Sequence, residues 1–107
     1  MLQRDYMMRL IKAVTEAIAR IAGLAKAGRV NDAEREVALT LQRDLGISRS
    51  DALRLAPASL VMVIGKERAG LAADLLAAEA DALDAAGRAE DAATRRAHAR
   101  AIRAAAI

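Results

Sequence analysis

Apolar residues recur at helical spacing over the first quarter of the chain. At about 100° per residue, Leu10, Val14, Ala17, Ile21 and Leu24 fall on one face of a helix expected from about Leu2 to Ala27. Met7, Ile11, Ile18 and Ala25 widen that face on one side, and Leu2, Tyr6 and Ala13 widen it on the other. The apolar arc reaches roughly 200°, well beyond the ~100° stripe that a surface helix needs. Asp5, Lys12, Glu16 and Gly23 mark the wet side. Gly28 follows the last periodic residue, where a left-handed cap belongs. A second helix is expected from Asn31, with Asn31 and Glu34 spaced as a capping box. Ala33, Val37, Leu41 and Leu45 repeat at four-residue steps, and Gly46 stops the pattern. So short a connection forces the two helices to pack antiparallel.

The middle of the chain is less regular. Ser48 with Asp51 is spaced to cap a short turn of helix, and Pro57 suits a first helical position. The run "SLVMVIG" does not separate helix from strand by periodicity. A strand there would have no partner, so a short helix over about Pro57 to Ile64 is expected. Gly65 and Gly70 bracket "KERA", read as a bend. A further helix runs from about Glu67 or Leu71 to Ala86, with Leu71, Leu75, Leu76, Ala80 and Leu83 as its apolar residues. Gly87 ends it. The last helix runs from about Glu90 to Ala105, its buried face expected at Ala89, Ala93, Ala97 and Ala101 with Ile102 beside it. The fold class is therefore all-α, in one domain. Hairpins over 2–45 and 67–106 flank a connector over 46–66.

The two hairpins share a text. "AGRVNDAE" at 27–34 is echoed by "AGRAEDAA" at 86–93. A shift of 59 positions pairs Leu24 with Leu83, Gly28 with Gly87, Arg29 with Arg88, Asp32 with Asp91, Ala33 with Ala92 and Ala38 with Ala97. In each copy the glycine ends the first helix, and the alanine five residues later allows close approach of the second. This spacing resembles the tetratricopeptide repeat, a helix–turn–helix unit with a period of about 34 residues. The likeness is partial. Val37 and Arg96 stand where that family places an aromatic, Thr40 departs from its next alanine while Ala99 fits, and Leu45 and Ala104 replace its closing proline.

A second resemblance spans most of the chain and is most specific in its first third. The opening "MLQRDYMMRLIKAVTEAIARIAGLAKAGRVNDAE" is similar to that of an uncharacterised family of small bacterial proteins. The shared features are "DYxMRxI", matched from Asp5 to Ile11, and a "GLxxxGxxxxA" turn, matched from Gly23 to Ala33. That resemblance implies a helical fold and carries no catalytic residue.

Composition narrows the reading. With 107 residues the chain suits one domain, but much of its 55% hydrophobic content is alanine, which buries little area. There is no phenylalanine or tryptophan, and Tyr6 is the only aromatic, so the core should be thin enough for a partner to complete. The absence of cysteine excludes disulfides and thiolate chemistry. Arg4, Asp5 and Arg9 interrupt any apolar leader, and the longest uncharged stretch, Leu55 to Gly65, is too short to span a bilayer. A cytoplasmic protein with no membrane contact is expected. The net charge of +3 comes entirely from Gly87 onward, where five arginines face Glu90 and Asp91.

Few residues suggest chemistry. His98, the only histidine, has no ligand-spaced neighbour and is read as a solvated helix residue. Glu79, Asp81 and Asp84 lack a nucleophile or orienting partner and read as a solvated face. "GKERAG" lacks the glycine and hydroxyl of a phosphate loop, and Ser48, Ser50 and Ser59 have no base in a readable motif. No catalytic, cofactor or metal residue and no small-molecule substrate is expected. Arg96, Arg100 and Arg103 share one side of the last helix and form a candidate basic patch for phosphates. They equally complement that helix's dipole, and no aromatic accompanies them. The stronger signal is the overwide arc of the first helix. Leu2, Tyr6, Met7, Met8, Leu10 and Ile11 form a candidate interface lying before the second helix can cover them. The expected function is a non-enzymatic protein–protein interaction module that self-associates as a homodimer. The alternative is a nucleic-acid-associated protein using the arginine-rich last helix.

Overall fold

A computed structural model describes residues 2–107, with side chains from Arg4 onward. The described residues form six helices and no strand. They are α1 (Leu2–Lys26), α2 (Val30–Leu45), α3 (Arg49–Arg54), α4 (Pro57–Ile64), α5 (Lys66–Ala85) and α6 (Ala89–Ala105). The periodic residues of the first hairpin meet as the pattern requires. Leu10, Val14, Ala17 and Ile21 of α1 are buried against Ala33, Val37, Leu41 and Leu45 of α2.

The echoed text folds into the same turn twice. The N–H of Arg29 donates to the carbonyl of Leu24 (2.9 Å) and that of Gly28 to Ala25 (3.1 Å); Arg88 donates to Leu83 and Gly87 to Asp84, both at 2.9 Å. These are paired Schellman bonds, and they need a left-handed residue. Gly28 has φ +73° and Gly87 φ +79°. Each turn is locked by one ion pair: Arg29 Nε donates to Asp32 (2.7 Å) and Arg88 Nε to Asp91 (2.9 Å). Ala33 and Ala92 are both fully buried where the second helix leaves the turn. A Cβ at Gly28 would touch nothing within 4 Å, so Gly28→Ala meets only the conformational penalty. We expect a loss of about 1 kcal/mol, read from urea denaturation. An unchanged midpoint would refute the cap assignment.

α5 packs across both helices of the first hairpin and pairs with α6 to form the second. Its buried surface is largely small: Ala69, Ala72, Ala73, Ala80 and Ala82 alternate with Leu75, Leu76 and Leu83. The connector bridges α2 to α6. Ser48 Oγ accepts the N–H of Asp51 (3.0 Å) and starts α3. α3 packs on α2, and α4, with Pro57 at its start, packs on α5 and α6. Residues 57–64 are thus helical, with Leu60 and Ile64 turned inward.

Three expectations need correction. Asn31 is not a cap. The Schellman turn feeds directly into α2, so Arg29 is the N-cap residue and no side chain caps there. The "KERA" segment is not a bend. α5 begins directly after Gly65 and continues through Gly70, whose missing side chain faces open space. On α6 the buried residues are Ala92, Ala99 and Ile102, whereas Ala89, Ala93, Ala97 and Ala101 are exposed. With alanine on every side, Ile102 is the one large apolar residue on the buried face.

Candidate interaction surface

α1 has 25 residues and α2 has 16. At about 1.5 Å per residue, α1 therefore overhangs its partner by roughly 13 Å. The first turns of α1 project past α2, and their apolar residues stay uncovered. Tyr6 is 46% exposed, Met8 62% and Ile11 46%, while Met7 is half-buried. Leu10 departs from the expected interface: at 6% exposure it belongs to the core, because it lies on the Val14–Ile21 stripe. The side chain of Leu2 lies outside the described residues.

Two adjoining grooves run from this overhang. One, of about 550 Å³, is lined by Arg4, Tyr6, Met7, Ile64, Glu67 and Arg68. The other, of about 430 Å³, has an apolar floor of Met7, Ile11, Gly70, Leu71, Ala106 and Ile107. Lys66, Glu67, Asp74 and Arg103 edge the second groove. Leu71, expected in the core, is half-buried here, and Ile107 is 93% exposed. On the outer side of α4, Met62 and Val63 also face solvent. Sequence reading missed these two. The signal was present, since an eight-residue helix carrying five consecutive apolar residues, Leu60 to Ile64, cannot bury them all.

The basic patch does not stand free. Arg96 donates to Asp81 (2.9 Å) and Asp84 (3.2 Å), and Arg103 pairs with Asp74. The hydrogen bond to Asp81 raises the Arg96 pKa, so that guanidinium stays charged and occupied. Among the described residues Arg100 alone of the three has no ion partner.

Glu79 is the main departure from the solvated-face reading. It is fully buried, and Arg49 of α3 grips it with two hydrogen bonds, from Nε at 2.7 Å and from Nη2 at 3.1 Å. Arg95 of α6 places its Nε 3.0 Å from the second carboxylate oxygen, off the line of a hydrogen bond. Arg49 also reaches Glu34 of α2 at 3.3 Å. The hydrogen bond that Arg49 donates to Glu79 raises the Arg49 pKa against the opposing effect of burial. Four helices thus meet on two carboxylates and two guanidinium groups, balanced in charge. The cluster clamps the four helices together. The 59-residue shift that relates the turns also maps Arg20 onto Glu79 and Glu36 onto Arg95. Arg20 and Glu36 form the matching pair in the first hairpin, at 2.7 Å, with the charges exchanged.

His98 likewise is not simply solvated. Its Nε2 lies 2.9 Å from the carbonyl of Ala52, so the Nε2–H tautomer donates to the free end of α3. Arg68, in the "GKERAG" segment, serves α4 in the same way, its Nε donating to the carbonyl of Ile64 (2.9 Å). Among the described residues no three histidine, cysteine or acidic side chains converge as metal ligands, and no helix is long and apolar enough to cross a membrane.

No family model, curated protein or solved structure matches this chain.

Proposed function

We propose that the protein is a non-enzymatic helical interaction module whose contact surface is the overhanging start of α1 with the adjoining grooves. The observation that carries this reading is the exposure of Tyr6, Met8 and Ile11 at one end of a chain so poor in large apolar side chains. Such residues lose several kcal/mol by staying in water, at roughly 25 cal/mol per Å² of apolar area. The Glu79 carboxylate is fully buried and already paired, which supports binding over catalysis. Engagement of Arg96 and Arg103 by carboxylates supports a protein partner over nucleic acid. A second copy joined about a two-fold axis is the simplest partner in number. Charge weighs against it, because Arg4, Lys66 and Arg68 of the two copies would be brought to one interface.

The test is capture of partners from the native organism by the wild-type chain and by a Tyr6→Ser, Met8→Ser double variant. Both side chains are exposed, so the isolated variant should keep its stability within about 0.5 kcal/mol. It should lose the protein that the wild type retains. Equal retention by both chains would remove this surface as the contact.

A further inference from the structure

We propose that the groove between α1, α5 and α6 receives an acidic amphipathic helix of a different protein. The inference rests on the reading that this end of the molecule is an interaction surface, and it names the occupant. Shape is the first argument. The two grooves share Met7 and Glu67 and so form one continuous trough. The floor of the second groove is apolar, and beyond the backbone of α5 itself nothing lies within 4 Å of where a Cβ on Gly70 would stand. A floor of this kind, walled by helices, accepts the apolar stripe of another helix.

Charge selects the kind of helix. Across the rest of the surface arginines are mostly matched, as in Arg20–Glu36, Arg29–Asp32, Arg43–Asp44 and Arg54–Asp51. Around the trough they are not. Arg4, Lys66 and Arg68 line it without an ion partner among the described residues, and unpaired Arg100 sits one turn before Arg103. Of the acids on the lining, Asp74 is taken by Arg103, and Glu67 alone is unpaired. On the second groove Lys66 and Arg103 balance Glu67 and Asp74, so the positive excess beside the apolar floor comes from Arg4 and Arg68 at the adjoining first groove. Carboxylates flanking an apolar stripe satisfy both. The start of this chain's own α1 does not, since Arg4, Arg9 and Lys12 outweigh Asp5. A phosphate backbone would meet the cations but leave Met7, Ile11 and Leu71 uncovered.

The full chain is titrated, by fluorescence anisotropy, into a labelled peptide of about 18 residues, five helical turns. The peptide has leucine at i, i+3, i+4 and i+7, with glutamate and alanine elsewhere. A matched peptide carries lysine for glutamate, and a DNA duplex is the third probe. The acidic peptide is expected to bind at least about tenfold more tightly than the lysine peptide, and to weaken with added salt. Arg4→Glu with Lys66→Glu should reverse the preference, and Ile11→Ser should weaken both peptides, with helicity kept in each variant. Equal affinity for the two peptides, no saturable binding, or indifference to the charge reversal overturns the proposal. So does a duplex that binds more tightly than the acidic peptide. If no peptide binds yet the Tyr6, Met8 variant still loses its captured protein, the acidic helix is wrong and the interaction surface stands. If capture is also unaffected, both readings fall.

Discussion

Glu79→Ala is expected to destabilise the fold by about 3 kcal/mol, the lower end of what removing one partner from a buried ion cluster costs. The lower end applies because Arg49 and Arg95 keep 26% and 20% of their side-chain surface in water and recover part of their hydration. Even so, the loss is a large share of the 5–15 kcal/mol typical of a domain. The main cause is the loss of the carboxylate facing two guanidinium groups: Arg95 is left with no ion partner and Arg49 with Glu34 alone, and the cavity left by the shorter side chain adds to the cost. That account makes a contrast. Replacing Glu79, Arg49 and Arg95 together by leucine removes the buried carboxylate and both guanidinium groups that face it; it leaves only Glu34, whose side chain is 24% exposed and can hydrate, and should restore most of the stability. Urea midpoints of the single and triple variants check it. A triple variant as unstable as Glu79→Ala would mean that packing, not uncompensated charge, sets the cost.

Ala33→Leu combined with Ala92→Leu should cost about 2–6 kcal/mol, the sum of two overpacking penalties of about 1–3 each. Both alanines are fully buried at the point where a three-residue turn returns one helix onto another. The Schellman bonds fix the turn, so the helices cannot draw apart to admit three more carbons. Differential scanning calorimetry of the single and double variants measures the effect. Additivity would show that the two hairpins yield independently, and full tolerance at both sites would contradict the close crossing.

The helices and both turns were legible in the sequence because their signals are local. Four-residue steps from Ala33 to Leu45 and the recurring Gly28–Arg29–Asp32 and Gly87–Arg88–Asp91 spacings act within a few turns of chain. What escaped depends on distant partners. Glu79 stands in an alanine-rich helix near Asp81 and Asp84, and nothing local says that Arg49, thirty positions away, will cover it. The capping box at Asn31 and Glu34 failed because the turn starts α2 at Val30, one residue earlier, and Glu34 pairs with the same arginine instead. The buried side of α6 escaped because alanine gives no contrast between faces. The overhang of α1 was readable from two helix lengths. Its trough was not, because Gly70, Leu71 and Ile107 join Met7 only through the packing of α5 and α6.

Two hairpins built on nearly the same words could exchange halves while folding, α1 closing with α6 or α5 with α2 in the hairpin register. The pairs Arg20–Glu36 and Glu79–Arg95 oppose that error. A crossed hairpin would set Arg20 against Arg95, or Glu79 against Glu36, at positions that the correct fold holds within a few ångströms. Juxtaposed like charges cost several kcal/mol, and more where the site is dry. The exchanged signs therefore label each helix of the repeat as belonging to its own neighbour. The chain gains from repetition a turn that folds reliably, and escapes through one reversed ion pair the confusion that repetition invites.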